Sequence, residues 1–356
     1  MLNLNKILLI NPHGIGDVLF TTPVISNVRR AYPHARIVYI GNTRTSEFLK
    51  RNAQINEVLT YDRDEFVGVY KKNPIAFIRK WMNFILKIRS EQFDLAIDFS
   101  LSESFGFMGA LCGIPRRIGY DYKGRGRFLT HTLRLKGFED KHVIEYYLDL
   151  LRLIDVSVVD RKMRLPLTAA DETWAKDWLK EKGADVSKPL IAVIPGGGAS
   201  WGAQAKNKRW SAANYGDLVH KIIAQTKGAV ILMGDAKEEL LCAEVSRLAS
   251  FPVYTAVGQT SIIQMAALLK QCRLAVLNDG GPLHVAVASG VPTVSIFGPV
   301  DEKVYGPYPL EGHRVVKVNL ACQPCYRRFR QADCAHLSCL KNVSAEDVMR
   351  KAAELL

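Results

Sequence analysis

The sequence predicts an α/β protein built from two Rossmann-like halves. Short β-branched apolar runs alternate with helical-period stretches through most of its 356 residues, the pattern of parallel sheets with crossover helices. The length suits two domains of ordinary size better than one large core. A strand followed by a glycine-bearing turn and then a helix opens the chain at Lys6, and the same grammar restarts at Leu190.

In the first half, strands are expected at Lys6–Asn11, Arg36–Gly41, Glu57–Tyr61 and Asp94–Phe99. A helix is expected from about Asp17 to Tyr32, with Pro33 at its end. Asp171–Lys182 reads as an amphipathic helix, and the domain boundary is expected near it, at about 165–188. The second half gives strands at Leu190–Pro195, Ala229–Gly234, Leu274–Asn278 and Thr293–Phe297. Its helices are a Ser211-capped one running to about Lys227, Lys237–Ala249, Ser261–Gln271 and the short Pro282–Ser289.

The chain carries 48 Lys+Arg against 35 Asp+Glu, a net charge of +13. Residues 1–165 hold 26 basic against 17 acidic groups, so the first half is the more basic one. Such a half attracts anions, but no nucleic-acid fold signature accompanies it. The longest mostly apolar stretch, His284 to Val300, is interrupted by Gly290, Pro292, Gly298 and Pro299, unlike a membrane span of about 20 apolar residues. The opening MLNLNKILLINP reads as a first strand rather than a secretory segment, so a cytoplasmic location is expected.

Three turns carry the candidate chemistry. Asn11-Pro12-His13-Gly14-Ile15-Gly16-Asp17 sits where a strand ends and a helix starts, where glycine allows close backbone approach and amides favour anions. It lacks the third glycine of a dinucleotide fingerprint, so NAD binding is not favoured. Asp17 there suits either helix capping or catalysis. Pro195-Gly196-Gly197-Gly198-Ala199-Ser200, followed by Lys206, Lys208, Arg209 and Trp210, can cradle a diphosphate, although no Walker A ending closes it. Asn278-Asp279-Gly280-Gly281-Pro282-Leu283-His284 again runs strand into glycine turn into short helix, with Gly280 and Gly281 offering amides. Three ligand-type turns at strand ends in one chain are hard to assign to structure alone.

Of seven cysteines, Cys112, Cys242 and Cys272 are isolated in apolar contexts and read as inert buried thiols. Cys322-x2-Cys325-x8-Cys334-x4-Cys339 is clustered. Two readings stand: a structural zinc or cluster site, or reduced cysteines packing a loop.

At these residues the chain resembles the bacterial lipopolysaccharide heptosyltransferases, glycosyltransferase family 9. The resemblance spans essentially the whole length. It rests on Gly14-Ile15-Gly16-Asp17 with Thr22-Pro23, Lys208-Arg209-Trp210, Gly234-Asp235, Asp279-Gly280-Gly281 with His284, Gly298-Pro299, and His142-Val143 through Tyr146-Tyr147. Many members have Thr or Ser where this chain has Gly280, so the resemblance implies that backbone amides would replace a side-chain contact to donor phosphate.

The resemblance implies a GT-B fold, two Rossmann-like domains facing across a cleft. Residues 1–170 would bind the acceptor, 171–343 the nucleotide sugar, and a helix in 344–356 would pack back on the N-terminal domain. It implies an inverting, metal-independent transfer of heptose from ADP-heptose to a lipopolysaccharide inner-core or related glycan. Alternatives are another nucleotide sugar on the same fold, a nucleotide-sugar epimerase, or an inactive glycan-binding homologue. Asp17 would be the base. Gly196, Gly197, Ser200, Lys208, Asp235, Glu238, Asp279, Gly280, Gly281 and His284 would hold the donor, with Asp235 or Glu238 on the ribose. His13, Gly14, Gly16, Arg63, Arg116, Arg117, Lys123 and Arg125 would hold the acceptor. No cofactor is required beyond the donor, with a metal at the cysteines as the open structural question.

The acceptor of such enzymes is lipid-anchored. Pro74–Arg89 reads as a basic helix with Phe77, Ile78, Trp81, Ile85 and Ile88 as its packed stripe and Lys71, Lys72, Arg79, Lys80, Lys87 and Arg89 around it. A peripheral, salt-sensitive association with the anionic inner face of the inner membrane is expected.

Overall fold

The structure is a computed structural model and describes residues 2–185, 187–197 and 199–356. The chain divides into two compact units. The first runs to Phe138 and resumes over Val143–Arg161; the second takes Glu139–His142 and everything from Lys162. The continuous part of the second unit begins at Lys162, just ahead of the expected 165–188, and its helix Ala169–Glu181, capped by Thr168, packs against the helix Ile262–Lys270.

The first unit holds a parallel sheet of six strands: β1 (Lys6–Ile10), β2 (Arg36–Gly41), β3 (Glu57–Thr60), β4 (Leu95–Asp98), β5 (Arg116–Tyr122) and β6 (His131–Leu135). Their order is β3-β2-β1-β4-β5-β6. The second holds β7 (Leu190–Ile194), β8 (Ala229–Leu232), β9 (Tyr254–Thr255), β10 (Leu274–Asn278), β11 (Thr293–Ile296) and β12 (His313–Val316), in the order β12-β11-β10-β7-β8-β9. Both sheets share one doubly wound topology. In each, strand order reverses between the first and fourth strands, where such sheets open a crevice beyond their carboxyl ends. Those switch points are β1/β4 and β7/β10.

The inner strands LIAVI and LAVLN are buried along their whole length, as parallel strands covered on both faces must be. β5, β6, β9 and β12 were not expected. They are short or carry Arg, His and Tyr, so their apolar signal is weak.

The helix expected over Asp17–Tyr32 is two helices, Ile15–Leu19 and Thr22–Ala31. Pro23 explains the break: it has no N–H, and its ring conflicts with the carbonyl of Leu19. Thr22 Oγ1 donates to that carbonyl instead, at 2.7 Å.

The C-terminal helix, Ala345–Ala353, belongs to the second unit, where Val348, Met349 and Ala352 join the core with Trp210, Tyr215 and Leu340. Trp210 Nε1 donates to Val343 O at 2.9 Å, pinning the start of that helix. Its one apolar face is satisfied inside its own unit.

Candidate functional site

At the first switch point, the turn after β1 is held from both sides. Buried Asn11 donates from Nδ2 to Asp17 O at 3.0 Å and accepts from His13 N at 3.2 Å. Asn42, at the end of β2, donates to the carbonyls of Pro12 and His13. Gly14 and Gly16 accept from Val18 N and Phe20 N at 3.0 Å each, starting the helix. Asp17 thus sits half-buried in the first turn. Among the described residues no ion pair or side-chain hydrogen bond engages its carboxylate.

His13 Nε2 is bonded to Ser100 O at 3.0 Å. A carbonyl only accepts, so Nε2 carries the proton. Ser100 follows β4, whose last residue, Asp98, is a second carboxyl at this edge that the sequence did not single out. Ser100 N donates to Asp98 Oδ1 at 2.8 Å. Burial raises the Asp98 carboxyl from 3.8 to about 6, with the bond from Ser100 and the nearby His13 opposing the rise.

Register separates the expected acceptor residues. Arg116 and Arg117 pair with Leu95 and Ala96, at the amino edge of the sheet and opposite the Asp17 turn. The Arg117 guanidinium is spent on the carbonyls of Phe128 and Ile114, and Arg116 Nη1 reaches Leu153 O. These two do not line the site. Arg63, Lys123 and Arg125 follow the carboxyl ends of β3 and β5. Lys123 and Arg125 lie over the Tyr122 ring at 5.0 and 5.6 Å.

At the second switch point, three turns are tied into one body. Glu238, 4% exposed, accepts through Oε1 from Gly197 N at 2.6 Å and from Arg209 at 3.0 Å, and through Oε2 from Asp235 N at 3.1 Å. A Cβ at Gly196 would fall 2.0–2.2 Å from that carboxyl, and Gly197 has φ +105°, so both positions require glycine. Asn278 donates to Pro195 O at 2.7 Å and Gly196 O at 2.9 Å, and accepts from Trp210 N at 3.1 Å.

The two oxygens of Glu238 serve the protein's own amides and Arg209, so it positions the turn to which the sequence assigned donor binding. Asp235 caps its own turn by accepting from Lys237 N at 2.8 Å. Lys208 lies 2.6 Å from the buried Asp279 carboxylate and 4.2 Å from the Trp201 ring centroid. Gly280 precedes and Gly281 opens the helix Gly281–Ala288, whose first-turn N–H groups lack intrahelical partners, Pro282 having none to offer. His284 is buried in that helix, and burial pushes its imidazole well below its ordinary range, so it is neutral. Gly198 and the side chain of Ser200 lie outside the described residues.

The four clustered cysteines are free thiols flanking the hairpin of β13 (Tyr326–Arg327) and β14 (Arg330–Gln331). Burial and the neighbouring thiols push Cys339 up to about 11. Among the described residues no group of three or more His, Cys, Asp or Glu side chains is arranged to hold a metal ion.

Two doubly wound parallel sheets, each with a glycine turn at its switch point, are the parts of a GT-B fold. The sequence model of glycosyltransferase family 9 (heptosyltransferase) matches residues 81–336, and the chain belongs to that family. It is 24% identical over 302 residues to lipopolysaccharide heptosyltransferase 3 of Escherichia coli, covering 82% of this chain and 83% of that protein. Its fold is similar to that of a family 9 glycosyl transferase from Veillonella parvula, with a TM-score of 0.82, 20% identity and coverage of 100% and 98% of the two chains. It is also similar to the E. coli ADP-heptose lipopolysaccharide heptosyltransferase II, with a TM-score of 0.75, 20% identity and 98% of each chain covered.

Asp98 gives a pH test. The folded state holds its proton more tightly than the unfolded chain, so that contribution is full below about pH 4 and is lost as pH rises through about 6. Asp98→Asn keeps the group neutral. Thermal melts should show the variant more stable than wild type at pH 7.5, by up to about 3 kcal/mol for a two-unit shift, with the gap closing toward pH 4. A gap that does not change with pH would show that Asp98 titrates normally.

Proposed function

We propose that this enzyme transfers heptose from ADP-heptose to a lipopolysaccharide inner-core or related glycan acceptor, with inversion and without a metal ion in the chemistry. The observation that carries the mechanism is the uncommitted carboxylate of Asp17 at the switch point of the first sheet, while Glu238 and Asp279 are bound up within the second unit. Donor identity is supported by the names of the relatives, one of which is an ADP-heptose heptosyltransferase.

In this reading Asp17 takes the proton of the acceptor hydroxyl. The freed oxygen attacks the anomeric carbon from the face opposite the diphosphate, the bond to the diphosphate oxygen breaks, and ADP leaves. The Gly280 and Gly281 amides and Lys208 stabilise the charge that gathers on the leaving group. Lys208 reaches it from a fixed position, because Asp279 and the Trp201 ring restrict its side chain. Buried His284, neutral in the helix that follows, adds no charge there. Arg63, Lys123 and Arg125 would meet acceptor phosphates or carboxylates.

Such an acceptor is lipid-anchored, so the enzyme works as a cytoplasmic protein held peripherally at the anionic inner face of the inner membrane. No helix among the described residues is long and apolar enough to cross it.

Incubation with ADP-heptose and a delipidated inner-core acceptor should release ADP and add one heptose mass. Asp17→Asn should bind ADP normally and lose turnover by ~10²–10⁴-fold. Near-normal kcat in that variant would place the base elsewhere.

Lys208→Ala should weaken ADP binding by ~10–150-fold, the worth of a charge-assisted contact of ~1.5–3 kcal/mol. It also leaves Asp279 buried without its partner, which costs ~3–5 kcal/mol of stability. Calorimetric titration is therefore to be read beside a melt. Unchanged ADP affinity in a folded variant removes Lys208 from the donor site.

A further inference from the structure

The helix Pro74–Glu91 has two apolar faces. One faces inward: Ile85 and Ile88 are buried in the first unit's core, with Trp81 and Phe84 packed against it. The other is Ile75, Ile78, Met82 and Leu86, spaced 3, 4 and 4 residues apart and therefore aligned along one side of a helix about 27 Å long. At 100° per residue its centre lies roughly a third of a turn from the buried face. These four are 78%, 58%, 45% and 55% exposed. Ile78, expected in the packed stripe, belongs to this outer one.

The preceding helix, Arg63–Lys72, extends the exposed surface. Tyr70 and Val67 are exposed on it, and Tyr70 meets Phe77 edge-on at 5.4 Å. Asn73 ends the first helix and caps the second, accepting from Ile75 N and Ala76 N, so the pair forms a defined hairpin. Core packing explains the inner face and leaves the outer one unexplained. Contiguous exposed apolar surface of this kind marks an interaction site.

Charge selects the occupant. Residues 71–89 hold six Lys or Arg and no Asp or Glu. Lys80 pairs with Glu65 and Lys87 with Glu57. Lys71, Lys72, Arg79 and Arg89 are exposed, and no ion pair engages them among the described residues. An apolar stripe rimmed by basic side chains matches an anionic lipid surface, where apolar groups enter the acyl boundary and the cations meet headgroups. A second copy of the chain would bring two basic rims together and is disfavoured by their repulsion.

We propose that the hairpin of residues 63–91 is a membrane-docking element, with Ile75, Ile78, Met82 and Leu86 inserted among the lipids and Lys71, Lys72 and Arg79 on anionic headgroups. This rests on the membrane-bound acceptor of the proposed function and names the surface that meets the bilayer. None of these residues belongs to the catalytic or donor machinery.

Co-sedimentation with phosphatidylethanolamine vesicles, with and without phosphatidylglycerol, tests it in the full-length protein. Wild type should bind the anionic vesicles at low salt and release at high salt. Ile78→Asp/Met82→Asp should lower partitioning at least tenfold with an unchanged melt and unchanged transfer to a delipidated acceptor. Lys71→Gln/Lys72→Gln/Arg79→Gln should lose the preference for phosphatidylglycerol. Wild type that ignores anionic vesicles, or an apolar-stripe variant that binds as well as wild type, overturns the proposal. So does a wild-type dimer in sedimentation velocity that the apolar-stripe variant dissociates, which would make the face a self-association surface. Normal vesicle binding without heptose transfer would instead sink the proposed reaction and leave the docking element standing.

Discussion

One buried carboxylate organises the second unit's turns. Glu238 gathers an amide from the turn after β7, an amide from the turn after β8 and the guanidinium of Arg209. A charge this deep persists only where donors surround it. Glycine at 196 follows directly, since any side chain there would occupy the carboxyl's space. Asn278 supplies the second tie: it joins the same β7 turn to the end of β10 and to Trp210, which in turn anchors the C-terminal helix through Val343. A site meant to meet a diphosphate gains from amides already fixed in place, because their ordering entropy has been lost before the ligand arrives.

The two units share a strand order and differ in how they treat acidic groups. In the second unit the carboxylates are consumed: Glu238 by amides, Asp279 by Lys208. In the first, Asp98 is buried with a raised pKa and Asp17 is left half-buried and uncommitted. The arrangement suits a division in which one unit stabilises departing negative charge and the other accepts a proton. In the proposed reaction the same sheet is put to two chemical uses, with the difference residing in loops at the switch point.

The central strands were legible because parallel strands covered on both faces are continuous apolar runs, as in LIAVI and LAVLN. The strand Arg116–Tyr122 was not, and the same fact misplaced two residues. Arg116 and Arg117 look like an anion-binding pair in sequence, but once they are a strand's first residues, parallel register carries them to the far edge. The place of Asp235 and Glu238 after a strand suggests a ribose contact for either, and the Asp235-x-x-Glu238 capping pattern, equally local, signals the inward ties of Glu238. The outer stripe of the Pro74–Glu91 helix was half visible: periodicity marks apolar faces but does not say which is covered. Asn278 and Asn42 act through carbonyls of other turns, which no local pattern reveals.

The claim that Glu238 orders the turn, and does not touch the ligand, is open to a direct measurement. ADP and pyrophosphate are titrated into wild type and Glu238→Gln. Glutamine presents an N–H where Oε2 or Oε1 now accepts, so one of the ties to Gly197, Arg209 or Asp235 must break. The account predicts that both ligands weaken by a similar factor, about tenfold, equivalent to about 1.4 kcal/mol. A loss confined to ADP, with pyrophosphate unaffected, would put Glu238 on the ribose and contradict it.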